Sequence, residues 1–376
     1  MKVIVNSSVL NNAIGVVSKV INPKSPLQML STILFQKKDG NLSLTASDGE
    51  NMIVCSVPVV EIEDDVNFAI DGKYIQDAIK GFADVPLTIE VQKMMSSESE
   101  TVVISYPNGH FSLPVYCSPE YPVIMGVADD VAEVLVDASI LSDAISRTIS
   151  STADEVLRPV MNGMYFDFGE NLTIVASDGH RLVRNRITNV SAGENVSNFI
   201  LGKKMGNILK GILPKEDGQV SIKCDSGNAV FCFGAYQIVT RLIVGRYPNY
   251  NAVIPSNNNV NVVVDRKALI AAIKRVQPFS NFNSQLVCFD IQKNTLVLRA
   301  EDFDFSTSAT ESISCESECN MSIGFKGTDI TELLSTIDSE EITILLSDPS
   351  RAALIEPVTQ RDNQNVLLLL MPMLRN

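Results

Sequence analysis

The chain has 376 residues, 45% of them hydrophobic and 20% charged, with a net charge of −14. That length exceeds one ordinary core and predicts two or three domains of a soluble globular protein. No apolar run approaches the roughly 20 residues of a membrane span, and the N-terminus lacks a signal-peptide pattern, so we expect no membrane contact and a cytoplasmic protein. The acidic balance argues against nucleic-acid binding unless basic residues gather on one surface.

Each third of the chain opens with an amphipathic helix pattern. The segment SSVLNNAIGVVSKVI contains Leu10, DASILSDAISRTISS contains Leu141 and DRKALIAAIKRVQPF contains Leu269. In each segment the apolar side chains fall on one stripe of the helix. The three leucines are 131 and 128 residues apart. This regular spacing indicates internal repetition.

A strand-like segment with an aspartate recurs at nearly the same interval. The segments NLSLTASDGE, NLTIVASDGH and TLVLRAEDFD place Asp48, Asp178 and Asp302 at offsets of 130 and 124 residues. The first two contain Asp-Gly between alternating apolar residues, which favours a tight hairpin turn. A structural turn is therefore the expected role of these aspartates.

The second helix pattern of the repeat, KYIQDAIKGF, returns as KKMGNILKGI and in weaker form as TDITELLSTI, each followed by a short alternating run. We therefore predict three tandem domains, 1–126, 127–255 and 256–376, each with two helices and roughly eight short strands. The predicted class is α+β, with helices on one side of antiparallel sheets.

The seven cysteines do not have the spacing of a disulfide framework. Cys315 and Cys319 form a close pair in CESEC, but no second pair matches it and the chain has only two histidines. A zinc site normally needs four such ligands. We therefore predict reduced thiols, no metal and no cofactor, with zinc at CESEC as the alternative.

The predicted helices are basic although the whole chain is acidic. Six windows, 8–24, 73–82, 137–152, 203–214, 265–278 and 328–337, contain twelve basic and six acidic residues. Lysines on an outer helix face are typical of a solvated surface, but their repetition in three helices also suits contact with phosphates. Two helices depart from the pattern, since Arg147 lies on a flank and the sixth carries Asp329 and Glu332. The residues predicted to face DNA are Lys19, Lys24, Lys73, Lys80, Arg147, Lys203, Lys204, Lys210, Lys267 and Lys274.

The kind of nucleic acid follows from the aromatic content. Aromatic residues make up 6% of the chain and tryptophan is absent. Stacking of single-stranded bases on aromatic rings is therefore not the expected mode of binding. Double-stranded DNA held through its phosphates, without sequence readout, is the predicted ligand.

Four motifs carry a resemblance to a known family: MNGMYF from Met161, SDGHRL from Ser177, GRYPNYNAVIP from Gly245 and MPM from Met371. With the threefold repeat, they make the chain similar over its whole length to the bacterial DNA polymerase III beta subunit, the DNA sliding clamp. The resemblance implies a head-to-tail homodimer of three-domain protomers, so that each chain forms half of a closed ring. Basic helix faces would line a hole around duplex DNA, and acidic sheets would face outward.

The same resemblance implies a processivity factor with no catalytic site of its own. It would tether the replicative DNA polymerase, be loaded by an ATP-dependent clamp loader, and serve other repair and replication proteins. These partners would bind through short peptides in an apolar pocket. The matching pocket residues are Arg158, Met161, Ser177, Gly179, His180, Arg181, Leu182, Pro248, Val253, Leu369, Met371, Pro372 and Met373.

This sequence departs from the family pattern at several pocket positions. The family usually has leucine where Met161 stands and aromatic residues where Pro159 and Val160 stand, and its usual ending becomes MPMLRN here. These departures concern the peptide preference. For the contact between protomers, Phe111, Leu113 and Phe279 are similar in position, with ordinary strand or core roles as the alternative.

Two other functions compete with the clamp. Asp178 and His180 could serve acid–base chemistry, but Asp48 and Asp302 recur without a histidine, and the usual phosphate, acyl-transfer and zinc-hydrolase motifs are absent. A triplicated scaffold that binds only proteins would share the peptide pocket but would not be retained on circular DNA. A related clamp that serves repair is a variant of the first hypothesis.

Overall fold

A computed structural model describes residues 1–93, 100–116, 121–128, 130–190 and 196–373, excluding the side chain of Lys93. Within them, one order of elements occurs three times: a strand, a helix, three strands, a single strand, a helix and three strands. The first copy also contains one additional short strand, β5. This threefold order confirms the predicted α+β class with two helices in each copy.

The first copy comprises β1 (Lys2–Asn6), α1 (Ser7–Val17), β2 (Thr32–Lys38), β3 (Asn41–Ser47), β4 (Asn51–Val57), β5 (Glu61–Ile62), β6 (Asn67–Asp71), α2 (Gly72–Ile79), β7 (Pro86–Lys93), β8 (Glu100–Tyr106) and β9 (Gly109–Pro114). The second comprises β10 (Glu133–Asp137), α3 (Ala138–Thr148), β11 (Gly163–Phe168), β12 (Leu172–Ser177), β13 (Arg181–Ile187), β14 (Phe199–Gly202), α4 (Lys203–Ile212), β15 (Gln219–Cys224), β16 (Asn228–Phe233) and β17 (Tyr236–Arg241). The third comprises β18 (Val260–Asp265), α5 (Arg266–Val276), β19 (Leu286–Gln292), β20 (Thr295–Asp302), β21 (Thr307–Ser314), β22 (Met321–Lys326), α6 (Gly327–Ser335), β23 (Glu341–Leu346), β24 (Ala353–Pro357) and β25 (Gln364–Leu370).

Polar side chains immediately before the helices determine where three of them begin. The Asp71 carboxylate accepts hydrogen bonds from the backbone N–H groups of Lys73 and Tyr74, both at 3.0 Å. Asn6 caps α1 and Asp265 caps α5 in the same way. Such caps satisfy N–H groups that have no partner inside the helix. None of the described helices is long and apolar enough to cross a membrane.

Helix α1 is shorter than the sequence pattern predicted. It ends at Val17, and the N–H groups of Lys19 and Val20 donate to carbonyls only three residues back, which tightens the chain out of the α-helix. Lys19 and Lys24 therefore lie beyond the helix, in the segment that leads to β2. The prediction that window 8–24 is one helix is wrong for its second half.

The described chain forms two compact units, and each contains two antiparallel sheets. Unit 1 comprises Met1–Ser139 with Gly211–Leu242. Its sheets have the strand orders β5-β1-β7-β8-β9 and β10-β15-β16-β17-β4-β3-β2-β6. Unit 2 comprises Ile140–Lys210 with Ile243–Asn376. Its sheets have the orders β14-β11-β12-β13-β25-β24-β23-β18 and β21-β20-β19-β22.

Each eight-stranded sheet joins strands of two sequence repeats. In unit 1, β4 of the first copy pairs with β17, the last strand of the second copy. In unit 2, β13 of the second copy pairs with β25, the last strand of the third copy. The second repeat therefore contributes β15–β17 to one unit and β11–β13 to the other.

A pair of phenylalanines marks the same place in the first two copies. Phe35 on β2 lies opposite Phe68 on β6, with ring centroids 5.2 Å apart. Phe166 on β11 lies opposite Phe199 on β14, with centroids 4.7 Å apart. All four side chains are buried. Cross-strand aromatic pairs of this kind stabilise a sheet through both apolar burial and ring packing.

Candidate functional site

The SDGH turn between β12 and β13 is built from its own side chains. The Asp178 carboxylate accepts hydrogen bonds from the N–H groups of His180 and Arg181, each at 2.9 Å. Gly179 has φ +93°, a conformation that glycine adopts without steric strain. The Ser177 hydroxyl donates to the carbonyl of Arg181 at 2.8 Å. These bonds define the conformation of the turn.

Arg181 connects this turn to two other segments of unit 2. Its guanidinium donates to Asp178 at 2.8 Å, to Glu332 on α6 at 2.6 Å and to the carbonyl of Ser150 at 2.9 Å. Desolvation opposes the charge on Arg181, but the hydrogen bond and charge of Glu332 outweigh it and raise the Arg181 pKa. The side chain is therefore held as a permanent cation in one orientation.

An apolar groove of about 340 Å³ lies beside this turn in unit 2. Met161, Leu182 and Leu369 contribute buried side chains to its lining, and Met371 remains partly exposed. Eleven of the thirteen predicted pocket residues line the groove: Arg158, Met161, Ser177, Gly179, His180, Arg181, Leu182, Pro248, Val253, Leu369 and Met371. Flexible methionines allow such a surface to fit different apolar side chains.

Two predicted pocket residues, Pro372 and Met373, do not line this groove. The Met373 N–H instead donates to the carbonyl of Gly324 on β22 at 2.8 Å. The sequence analysis also missed three residues that line the groove, Tyr247, Asn249 and Tyr250. The motif GRYPNYN was recognised, and its aromatic residues were the signal that could have added them.

Three tyrosines support the wall of the groove. The rings of Tyr165 and Tyr247 stack with centroids 4.9 Å apart and planes 2° from parallel, and Tyr250 meets Tyr165 edge-on at 6.3 Å. Burial and a hydrogen bond to Asp167 raise the pKa of Tyr250 to about 12. Its hydroxyl therefore stays protonated near neutral pH and donates to Asp167 at 2.7 Å.

An ion pair lies at the rim of the groove. Arg158 donates two hydrogen bonds to the Glu155 carboxylate, at 2.9 and 3.0 Å. The hydrogen bond from Arg158 lowers the pKa of Glu155. Because both side chains are well exposed, the pair contributes little to stability, but it limits the orientations of Arg158 beside Gly179.

Most residues predicted to face DNA are exposed. On α2, Lys73 lies on the face opposite the buried Ile75 and Ile79, and Lys80 caps the helix end and pairs with Asp77 at 2.7 Å. On α5, Lys267 and Lys274 are exposed opposite a buried apolar stripe. Lys19, Lys24, Lys204 and Lys210 are exposed, and Lys203 is partly buried.

Two of these lysines lie together with charged residues of the SDGH turn. Lys203 and Lys210 line a cleft of about 500 Å³ in unit 2 with Asp178, Arg181 and Glu332. The turn therefore borders the apolar groove on one side and a lysine-lined cleft on another. Asp154 also lines this cleft, so its three cations, Arg181, Lys203 and Lys210, face three carboxylates.

Three profiles of the DNA polymerase III beta subunit match this chain in order. The N-terminal domain matches residues 1–125, the central domain residues 135–249 and the C-terminal domain residues 251–374. The chain belongs to the DNA polymerase III beta subunit family. The three tandem clamp domains predicted from the repeat are thereby confirmed, and the protein is a sliding-clamp type of processivity factor without catalytic activity of its own.

The relatives of this beta subunit extend over its full length. The beta sliding clamp of Escherichia coli K12 is 25% identical over 376 residues, covering 99% of this chain and 100% of that protein. The beta sliding clamp of Pseudomonas aeruginosa is 25% identical over 360 residues, 95% of each chain. The crystal structure of the Pseudomonas aeruginosa sliding clamp bound to griselimycin covers 100% of both chains with a TM-score of 0.92 and 23% identity, which shows the same fold.

The prediction that Arg147 faces DNA is wrong in this beta subunit. Its side chain is only 6% exposed. The guanidinium donates to the carbonyl of Thr336 at 3.2 Å, to Gln364 at 2.5 Å and to Asp338 at 2.8 Å. Its positive charge is therefore paired inside unit 2, where the Arg147 side chain joins α3 to segments of the third repeat.

The residues predicted for the protomer contact lie at accessible positions. Phe111 and Leu113 are partly exposed on β9, with the Phe111 ring 6.3 Å from that of Phe82. Phe279 is 41% exposed, and its carbonyl accepts a hydrogen bond from Thr307 at the start of β21. Phe279 therefore lies directly beside β21.

The aspartates of the three turns share one structural role. Asp48 accepts hydrogen bonds from the N–H groups of Glu50 and Asn51, as Asp178 does in its own turn, and Asp302 accepts from Asp304 and Phe305. His180 is exposed, and its N–H takes part in the same turn. The recurrence of this arrangement favours the turn over acid–base chemistry.

The cysteines do not assemble a metal site within the described chain. No group of three or more histidine, cysteine, aspartate or glutamate side chains there could hold an ion. Cys315 is buried and Cys319 partly buried, and burial raises the pKa of the Cys315 thiol. Cys117 lies outside the described residues.

Proposed function

We propose that two copies of this chain close head to tail into a ring that encircles double-stranded DNA in the cytoplasm. The ring tethers the replicative DNA polymerase for processive synthesis and is placed on DNA by an ATP-dependent clamp loader. Domains bounded near residues 126 and 255 would give the ring six similar segments.

The pairing of strands across repeats is the observation that supports ring closure. The strand after the aspartate turn of one copy pairs with the last strand of the next copy, as β4 with β17 and β13 with β25. In the third copy the corresponding strand is β21, and in the first copy the last strand is β9. Both end a sheet. Pairing β21 of one protomer with β9 of another would continue the same rule and cover two open edges.

The repeat also fixes the register of the proposed contact. Ile53 pairs with Ile238 in unit 1, and Val183 pairs with Leu368 in unit 2. The corresponding residues of the open strands are Ala309 on β21 and Phe111 on β9, because their neighbouring hairpins align in the same way. We therefore propose that Ala309 of one protomer lies opposite Phe111 of the other, with Ser308 opposite Ser112.

Exposed aromatic side chains beside β21 are consistent with a covered edge. Phe303 and Phe305, in the turn that leads into β21, are 86% and 79% exposed in the single chain. Large apolar groups at one place on a surface typically mark a contact with another molecule. With Phe279, whose carbonyl accepts from Thr307, they are the apolar side chains at the start of β21 that we propose a second copy covers.

The basic helix residues support DNA as the molecule inside the ring. Lys73, Lys267 and Lys274 are exposed on helix faces turned away from the cores, in a chain whose net charge is −14. Lysines bind phosphates as point charges and read no sequence. A closed ring retains DNA by topology, so each phosphate contact can be weak enough to permit sliding.

The apolar groove of unit 2 supports binding of partner peptides. A volume of about 340 Å³ accommodates one or two apolar side chains, and Met161 and Met371 can adapt to different ones. The polymerase, the clamp loader and other replication and repair proteins would therefore share this groove. The Pseudomonas aeruginosa relative is solved with griselimycin bound, which makes that compound a suitable competitor.

Retention on circular DNA tests the ring. The protein is incubated with nicked circular duplex, a bacterial clamp loader and ATP, separated from free protein, and measured before and after the circle is linearised. We expect retention on the circle and release from the linear form. Release from both forms would favour a protein-only scaffold, and retention on both would indicate ordinary DNA binding. The free protein should have about twice the 41.0 kDa mass of the chain.

Cross-linking tests the register. A variant with Ser112→Cys and Ser308→Cys should form covalent dimers on mild oxidation, since directly opposed residues have Cβ atoms roughly 5 Å apart. Ser112→Cys combined with Ser314→Cys is the matched control, because Ser314 lies six residues along β21, about 20 Å away. Equal cross-linking of both variants, or of neither, would contradict the proposed pairing.

A further inference from the structure

A second groove adjoins the apolar groove in unit 2. It has a volume of about 520 Å³, and its lining includes Tyr165, Asp167, Asn198, Arg246 and Asn251. The segment 247–250 lines both grooves, so it forms a wall common to the two. Of the site residues predicted from the sequence, only Pro248 lines the second groove, and it also lines the apolar groove.

The polar side chains on the floor of the second groove form hydrogen bonds with one another. The Asp167 carboxylate accepts from the Tyr250 hydroxyl at 2.7 Å and from the Asn198 amide at 3.0 Å. The Asn198 amide also donates to the Tyr165 hydroxyl at 2.9 Å. Neutral donors thus contact both oxygens of the one carboxylate in the lining and fix its orientation.

Arg246 presents the opposite situation. It is exposed and lines the second groove, and within the described part of the chain it forms no ion pair. The preceding Gly245 has φ +142°, and a Cβ there would lie 2.6 Å from Val160. Glycine therefore lets the chain turn tightly against Val160 immediately before Arg246. Of the two charged side chains in the lining, Asp167 is held by internal hydrogen bonds, and Arg246 is the one that extends an unpaired charge into the groove.

We infer that the second groove binds the residues that flank the apolar anchors of the partner peptide, and that Arg246 selects an acidic side chain among them. This inference rests on the proposed peptide-binding function of the apolar groove. It assigns to Arg246 a role in specificity that the family motif residues do not include.

Continuity and charge both favour this occupant. An extended peptide advances about 3.3 Å per residue, so two to four residues beyond the anchors can cross the common wall and reach the second groove. A guanidinium binds a carboxylate through paired hydrogen bonds. Because the chain as a whole is strongly acidic, a local cation discriminates between acidic and neutral flanks more sharply than the average surface does.

The exposure of Arg246 sets the expected size of its effect on peptide affinity. An ion pair at an exposed site changes affinity by roughly two- to fivefold, and salt weakens it because screening extends over about 8 Å at physiological ionic strength. We therefore expect a modest, salt-sensitive preference added to the binding of the apolar anchors.

The test uses the full chain and fluorescent peptides that carry leucine and phenylalanine as apolar anchors. Pairs of glutamate, glutamine or lysine are placed on the N-terminal or the C-terminal side of the anchors, and affinities are measured by anisotropy at low and high salt. Loss of binding to Met371→Glu, a change inside the apolar groove, reports whether each peptide occupies that groove. We expect glutamate to bind two- to fivefold better than glutamine on one side only, and lysine to bind worst.

Two variants assign the preference to Arg246. Arg246→Gln should abolish the difference between glutamate and glutamine while leaving the unflanked peptide unchanged. Lys293→Gln removes one positive charge from the turn between β19 and β20, outside both grooves, and should retain the preference. An equal preference in wild type and Arg246→Gln, or none in wild type, overturns the inference alone. Failure of every peptide and of griselimycin to bind overturns the peptide-binding proposal as well.

Discussion

The SDGE turn of unit 1 and the SDGH turn of unit 2 are built alike but lead to different surfaces. In both, an aspartate caps the turn, a glycine has positive φ, and the following strand pairs with the last strand of the next repeat. Beside the turn of unit 1, that last strand carries Thr240 and the exposed Arg241. At the corresponding positions, unit 2 carries Leu370 and Met371.

The backbone arrangement that the two turns share therefore does not determine the surface that lies beside each turn. In unit 1, the Thr240 hydroxyl donates to Asn51 at 2.7 Å, and the buried Tyr121 donates to the carbonyls of Thr32 and Thr45. In unit 2, Tyr247, which like Tyr121 directly precedes a proline, stacks on another ring and lines an open apolar groove. Side chains at a few strand ends therefore give the two junctions different surfaces.

The largest effect should come from the part that the two units share. Phe35→Ala and Phe166→Ala each remove one ring of an equivalent buried pair, so each should lower the free energy of unfolding by about 3 to 5 kcal/mol. Urea denaturation followed by circular dichroism measures both. Losses that differ by several kcal/mol would break the comparison, because the two sheets would then depend on different cores.

The next largest effect is expected at Met371, which occupies in unit 2 the position that Arg241 occupies in unit 1. Met371→Glu places a charge on the wall of the apolar groove and should weaken griselimycin or peptide binding at least tenfold, because an unpaired carboxylate must be desolvated when the groove fills. The residue is 42% exposed, so the melting temperature should change little. Arg241→Glu at the equivalent exposed position of unit 1 is the control and should leave binding unchanged. Equal weakening by both variants would contradict a groove local to unit 2.

A smaller effect distinguishes the two turn glycines. Gly49→Ala and Gly179→Ala both force alanine into a left-handed conformation, with φ values of +91° and +93°, and should each cost about 1 kcal/mol of stability. At Gly179 the new methyl would also lie 3.2 Å from the Arg158 guanidinium, whereas at Gly49 the nearest atom is 3.9 Å away. Calorimetry should therefore show a loss of peptide affinity only for Gly179→Ala. An equal loss for Gly49→Ala would remove the distinction.

The smallest effect concerns the lysines. Lys80 in unit 1 forms an ion pair with Asp77 at 2.7 Å, whereas Lys210 in unit 2 forms none within the described residues. Lys210→Gln should reduce DNA affinity more than Lys80→Gln, and lower the dependence of log affinity on log salt by up to about one unit. Electrophoretic shifts over a salt series would measure both slopes. A larger change for Lys80→Gln would show that its pairing with Asp77 does not reduce its contact with DNA.

Much of the fold could be predicted because its signals are local. Helix stripes such as Ile75 and Ile79, and turns such as the one at Asp178, depend on residues a few positions apart. The repeat itself added the order of elements. The cross-strand partners of Phe35 and Phe166 were missed, although a phenylalanine at the same place in each strand was visible in the sequence.

The remaining errors come from contacts between distant parts of the sequence. Arg147 lies on the flank of its predicted helix, but its partners Asp338 and Gln364 lie 191 and 217 residues away, and only the folded chain brings them together. Most residues that line the apolar groove were named in advance because the family resemblance supplied them, and the composition of the chain alone would not have identified them. Arg246 and the second groove were not predicted from the sequence, because no local sequence pattern shows that an exposed arginine lacks an ion-pair partner.

Sheets that cross repeat boundaries have a consequence for dissecting this protein into fragments. A cut near residue 126 leaves β4 without β17, and a cut near residue 255 leaves β13 without β25. Each fragment would then expose the edge of a strand that is internal in the intact chain, a surface prone to aggregation. Expression of single repeats is therefore a poor route to soluble pieces, whereas breaks in loops that keep each eight-stranded sheet together should be tolerated.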